Sequence, residues 1–203
     1  MLHRRTLIAA ACTVLAARPG LAAPHPGAPA PEFTATDSNG TPVRFSALRG
    51  QVVVLEWTND GCPFVQKWYR SGAMQGLQRD AAGLGAVWLS VISSAPGEQG
   101  AADGPRANGL TRTRNAAPAH VLLDPSGTLG RLYDAQTTPH IFIIGRDGML
   151  AYMGGADSIA STRDADLARA TPYARDALTA IVAGRPAPVA VTRPYGCTVK
   201  YAA

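Results

Sequence analysis

An α/β fold, with a mixed β-sheet flanked by helices, is predicted by three features of the sequence. Apolar runs of strand character alternate with stretches of helical spacing. Two runs, Gln51-Val-Val-Val-Leu-Glu-Trp57 and Ala86 to Ser93, are apolar nearly throughout, as in central strands covered on both faces. The last two strands flank Arg146-Asp147-Gly148, a strong hairpin signal, so an antiparallel pair closes the alternation. Strand–helix alternation ending in such a pair gives a mixed sheet between helix layers.

The elements follow in order. Residues 1–23 carry a basic start with Arg4 and Arg5, an apolar run from Thr6 to Ala17, and a small-residue region ending at Ala23. That is the pattern of a secretory signal peptide, with an apolar part too short to span a membrane. The start Arg4-Arg5-Thr6-Leu7-Ile8 also resembles a twin-arginine signal; an uncleaved anchor is the alternative. The chain is therefore expected to be exported, to the periplasm, with no stable membrane insertion once the signal is gone. Residues 24–30 are rich in Pro and Ala and are read as a stiff leader, and residues 31–203 as one folded domain. Phe33 to Thr36 and Val43 to Phe45 flank the turn Ser38-Asn39-Gly40, predicting a small N-terminal β-hairpin.

The strand at 51–57 leads to a helix from Pro63 to about Arg79, with a break near Ser71-Gly72, since glycine in a helix interior costs about 1 kcal/mol. The strand at 86–93 is followed by a Gly/Pro/Ala-rich loop and a short helix near 105–115. Val121 to Leu123 is extended and closed by the turn Asp124-Pro-Ser-Gly127. Ile141 to Ile144 and Met149 to Met153 form the final hairpin. Thr171-Pro172 opens a helix carrying Tyr173, Ala174, Ala177, Leu178 and Ile181, and Gly184 ends it.

Charge and cysteine count narrow the function. The 19 basic residues lose Arg4, Arg5 and Arg18 with the signal while all 14 acids stay, so the formal charge falls from +5 to +2. No basic stripe remains, and nucleic-acid binding has no support. Cys12 lies in the signal, which leaves Cys62 and Cys197. In an oxidising compartment two cysteines pair, stay free, or alternate. Cys62 is the most informative residue. It stands between the strand at 51–57 and Pro63, a proline suited to a first helical turn. Helix-start amides and their partial positive charge favour a thiolate, the reactive form of cysteine. A small buried core residue is the other reading of the same position.

Several motifs together carry a resemblance. Glu32-Phe33-Thr34, Gly50-Gln-Val-Val-Val, Cys62-Pro63 and Thr138-Pro139 occur in that order. With the stretches Trp57 to Lys67 and Gly196 to Tyr201, they resemble the thioredoxin-like redoxins, and among them a secreted, peroxiredoxin-like (AhpC/TSA) family. The resemblance covers residues 31–201 and implies a thioredoxin fold. It implies that Pro139 is cis and packs on Cys62, and that Thr138 offers backbone groups for docking a thiol or disulfide. It further implies a thiol-dependent oxidoreductase, an antioxidant reducing peroxide or disulfide through Cys62. Cys197 then serves as resolving cysteine or forms a static bridge, or the two do not partner. The implied partners are a small-molecule peroxide or a protein thiol or disulfide, together with an external thiol reductant. No cofactor and no metal are implied.

The chain departs from that pattern in two places. Asn59 and Val65 stand three residues before and after Cys62, so no Cys-x-x-Cys dithiol exists. The Pro-x-x-x-Thr-x-x-Cys of typical peroxiredoxins is replaced by Leu55 and Asn59, which puts efficient peroxide reduction in question. A non-catalytic binding module for a protein or peptide partner therefore stays open, as does a copper-binding redoxin. Four more expectations concern neighbours. His140 either lies beside Cys62 or is a hydrogen-bonded surface residue. Lys67 belongs to a solvated helix face. Trp57 and Trp68 are core or rim aromatics. Glu56, inside an apolar strand, needs a partner or a raised pKa, as a proton acceptor near the thiol or in a sheet-edge salt bridge.

Overall fold

The apolar run after Gln51 becomes the fully buried strand β3 (Val53–Trp57), around which the sheet is built. The computed structural model describes residues 23–202; apart from Ala23, the expected signal peptide lies outside the described residues. The remaining elements are β1 (Thr34–Asp37), β2 (Pro42–Arg44), α1 (Pro63–Arg70), α2 (Ala73–Gly83), β4 (Val87–Ile92), α3 (Gly104–Thr113), β5 (His120–Leu123), α4 (Thr128–Leu132), β6 (Thr137–Thr138), β7 (His140–Ile144), β8 (Leu150–Gly154), α5 (Tyr173–Val182) and β9 (Cys197–Thr198). Seven strands form one mixed sheet in the order β2-β1-β5-β4-β3-β7-β8. β3, β4 and β5 run parallel, whereas β7 pairs antiparallel with both β3 and β8. This is a thioredoxin-like fold, as expected.

Side-chain alternation along β3 and β7 builds two cores. Val52, Val54, Ile141 and Ile143 face Val65, Trp68, Leu77, Ala174, Leu178 and Ile181 on α1, α2 and α5, and Cys62 lies in this cluster. Val53, Leu55, Trp57, Phe142 and Ile144 face the other way, onto Phe33, Phe45, Leu129 and Tyr133. Both faces of β3 are therefore covered, which is why its sequence is apolar rather than alternating. The predicted helix after Pro63 breaks at the expected place. Gly72 adopts φ 78°, a left-handed conformation natural only to glycine, and divides α1 from α2.

The predicted N-terminal hairpin forms, and β1 also pairs antiparallel with β5, which brings it into the main sheet. Residues 27–30 run along β8, where Gly27 donates to the Leu150 carbonyl and Leu150 donates to that of Ala28, at 2.8 and 2.9 Å. Helix α5 is capped by Pro172 without a side-chain cap, one residue after the Thr171 expected there. Among the described residues, no helix is long and apolar enough to cross a membrane.

Candidate active site

Cys62 is the N-cap of α1, with extended backbone (φ −80°, ψ 120°) and Pro63 in the first turn. Its carbonyl accepts the first helical hydrogen bond, from Gln66 at 2.9 Å. The preceding loop is fixed by Asn59. Its Oδ1 accepts from the Gly61 amide at 2.9 Å, and its Nδ2 donates to the Gln99 carbonyl at 3.0 Å. The residue standing where a peroxiredoxin carries threonine is thus committed to holding the loop. The Cys62 side chain is fully buried at the end of β3, on the face covered by α1 and α5.

The peptide bond Thr138–Pro139 is cis, and the Cys62 thiol donates to the Thr138 carbonyl at 3.1 Å. β6, which ends at Thr138, pairs antiparallel with β9, and Cys197 stands directly opposite Thr138. The sheet register therefore delivers Cys197 to the same carbonyl edge that Cys62 touches. Gly196 allows this approach. At φ 141°, a Cβ there would fall 2.0 Å from the Thr138 oxygen, so no side chain fits. Cys62 and Cys197 are both free thiols in the structure, the first buried and the second partly exposed.

The two thiols titrate in opposite directions. Burial pushes the Cys62 thiol up, but hydrogen bonds from the Cys197 thiol, the Thr138 side chain and the amides of Val65 and Cys197 outweigh it, and its pKa falls below the ordinary cysteine value. Burial also acts on Cys197, with the Cys62 hydrogen bond and charge acting in the same sense, and its pKa is pushed up to about 12. The pair therefore ionises first at Cys62, with Cys197 as the proton-bearing neighbour. In thiol–disulfide chemistry the thiol that ionises more readily is the better attacking group near neutral pH.

The other expected residues are placed differently. Lys67 is not on a solvated face but wholly buried. Its Nζ lies 3.3 Å from Asp157 Oδ2 and donates to the Tyr195 hydroxyl at 3.1 Å. Segments distant in sequence cover this side of α1, which helical spacing alone cannot show. His140 is buried rather than at the surface, and on the sheet face opposite Cys62. Its ring packs 4.3 Å from that of Phe142, and burial drives its pKa down to about 3, so it stays neutral. Glu56 is neither at a sheet edge nor in a salt bridge. Its carboxyl is enclosed between β3, β4, α1 and α2 and accepts from Tyr69, Gln78, Trp88 and Ser90 at 2.8 to 3.2 Å. Burial raises its pKa, and those donors only partly offset the rise. Trp57 and Trp68 are both core aromatics.

Asp157 and Tyr195 lie outside every sequence motif, and Gly196 enters only as the first residue of the stretch to Tyr201. The run Pro194-Tyr195-Gly196 directly before Cys197 was the available signal, since a glycine beside a candidate cysteine marks a close backbone approach. Among the described residues, no cluster of three or more His, Cys, Asp or Glu side chains is placed to hold a metal.

Residues 26–153 match the AhpC/TSA family. The fold is similar to that of a hypothetical protein from Sinorhizobium meliloti 1021, at 22% identity and TM-score 0.73, over 88% of this chain and 95% of that one. It is also similar to an uncharacterized conserved protein from Geobacillus kaustophilus, at 22% identity and TM-score 0.71, over 87% and 92% of the two chains. Peroxidoxin BcpB from Mycobacterium tuberculosis matches at 18% identity and TM-score 0.55, over 78% of this chain and 98% of that one. No curated protein matches the sequence.

Proposed function

The chain belongs to the AhpC/TSA family, and within it we propose a thiol-dependent oxidoreductase that cycles between two thiols and a Cys62–Cys197 disulfide. The observation that carries this reading is the pairing of β9 with β6, which sets Cys197 opposite Thr138, the residue whose carbonyl accepts from the Cys62 thiol. In the cycle, the Cys62 thiolate attacks one oxygen of a hydroperoxide. The O–O bond breaks, the leaving oxygen takes a proton and departs as alcohol or water, and Cys62 becomes a sulfenic acid. Cys197 then attacks that sulfur, forming the S–S bond and releasing water. With a disulfide as oxidant, Cys62 displaces one thiolate to form a mixed disulfide, and Cys197 displaces the other. In both cases two electrons leave the protein, and an external thiol restores them.

The second step gains from the first. Once Cys62 has reacted, its negative charge is gone, so that part of the rise in the Cys197 pKa disappears and a thiolate forms there more readily. A hydroperoxide is the preferred oxidant in this reading. Cys62 is fully buried beneath the Cys197 segment, which a small oxidant passes more easily than a protein disulfide, and the likeness to a peroxidoxin points the same way. Export to an oxidising compartment belongs to the same proposal.

The test uses reduced wild type, Cys62→Ser and Cys197→Ser, each exposed to hydrogen peroxide or to oxidised glutathione and mapped by mass. Wild type is expected to form the Cys62–Cys197 disulfide. Cys197→Ser should stop at a trappable Cys62 sulfenate or mixed disulfide, and Cys62→Ser should react only at Cys197, no faster than free cysteine. Reaction at Cys62 no faster than at free cysteine would overturn the enzyme reading and leave a thiol-binding module.

A further inference from the structure

We infer that Tyr195, held by the buried Lys67–Asp157 pair, is a positioning residue that keeps the Cys197 segment on Cys62. The inference rests on the reading of these cysteines as a redox pair. Lys67 and Asp157 are 0% and 1% exposed. The Tyr195 hydroxyl donates to Asp157 Oδ1 at 2.5 Å and accepts from Lys67 Nζ at 3.1 Å. Asp157 Oδ1 also accepts from the Ile159 amide at 2.8 Å, while Oδ2 faces Lys67, so the carboxylate is fully engaged. The Phe64 and Tyr195 rings meet edge to face at 5.7 Å.

The placement of these groups gives them a mechanical role. Lys67 lies on α1, the helix whose N-terminus is Cys62, and Tyr195 lies two residues before Cys197. A single cluster, a buried ion pair bonded to a half-buried tyrosine, therefore ties the element that carries one sulfur to the segment that carries the other. On the far side of Cys197 the segment is held through backbone, by Val199 donating to the Gln136 carbonyl at 3.0 Å and Ala95 donating to that of Lys200 at 2.7 Å. β9 itself has only two residues, too few to fix its own position. A buried lysine and aspartate are costly to desolvate, and the geometry repays that only while every polar atom stays paired. The Tyr195 hydroxyl completes the set, so moving Cys197 away from Cys62 breaks it.

Tyr195→Phe is the decisive variant, because it removes one hydroxyl and keeps both the ring and the ion pair. The thiol–disulfide equilibrium of Cys62 with Cys197 against glutathione gives their effective concentration. A tenfold fall is expected, which raises the potential of the pair by about 30 mV. In a Cys197→Ser background, adding Tyr195→Phe should leave the pH profile of Cys62 alkylation unchanged, which separates positioning from damage to the thiol site. An effective concentration equal to wild type would overturn the inference and leave the redox pair standing. Absence of any Cys62–Cys197 disulfide in wild type would overturn the redox reading and this inference together.

Discussion

The chemistry of Cys62 is set by a few neighbours that compete with its burial. Burial opposes the thiolate, and the donors from Cys197, Thr138 and Val65 favour it more strongly. Removing the Cys197 thiol takes away a donor to the ionised form, so the Cys62 pKa should rise toward that of an ordinary cysteine. The alkylation rate of Cys197→Ala as a function of pH should therefore have a higher midpoint than wild type, and an unchanged midpoint would show that Cys197 does not act on Cys62. Glu56 offers a stability counterpart. Its folded carboxyl keeps its proton to higher pH than the unfolded one. Its contribution is therefore complete below the unfolded value and is lost as pH rises through the folded one. Glu56→Gln should flatten that part of the pH dependence of urea unfolding. Glu56→Leu strands four buried donors, each worth about 1–3 kcal/mol when unpaired, and should lose at least about 3 kcal/mol. Cys62 was legible because a proline fixed the helix start beside it. Lys67 was not, because its burial depends on residues ninety and more positions away.

Among the elements, the strands with long apolar runs were legible, and so was the break at Gly72, where composition and conformation agree. The two-residue strands β6 and β9 were not. A ladder of two pairs, Thr137 with Thr198 and Thr138 with Cys197, leaves no periodicity to read. The five-residue helix α4 escaped for the same reason of length. Yet β9 is the element on which the redox reading turns, and Gly196 is its weak point. Gly196→Ala would drive a Cβ into the Thr138 carbonyl in a backbone conformation that alanine resists. This variant should behave like Cys197→Ser, with sulfenate or mixed disulfide accumulating at Cys62 while the fold persists. Normal disulfide formation by Gly196→Ala in thiol mapping would show that the β6–β9 pairing is dispensable.

In the whole molecule, one sheet carries two cores, and the Cys62 thiol belongs to the one shared by α1, α2 and α5. Leu89, fully buried in the opposite core, should cost about 3 kcal/mol when truncated to Ala, by urea unfolding. The same substitution should leave the Cys62 alkylation midpoint unchanged, since the sheet lies between them. Oxidation acts on the molecule as a whole. A Cys62–Cys197 bridge would close most of the chain into one loop and, in the chain-entropy model, stabilise the fold by about 5 kcal/mol. Oxidised wild type should therefore melt well above its reduced form, and Cys197→Ser should show no such difference.

Local chemistry along the chain is enough to dictate the fold class, the central strands, the helix start at Cys62 and the absence of a neighbouring thiol at Asn59 and Val65. Each of these is a property of side-chain alternation, a first-turn proline or spacing. Which distant groups meet is settled in three dimensions: Cys197 with Cys62 across the Thr138 edge, and Tyr195 with the buried Lys67 and Asp157. Those contacts are made by chain closure over long stretches of sequence. The first of them passes through a two-residue ladder and one glycine, too short a stretch to leave a pattern that can be read before the chain folds.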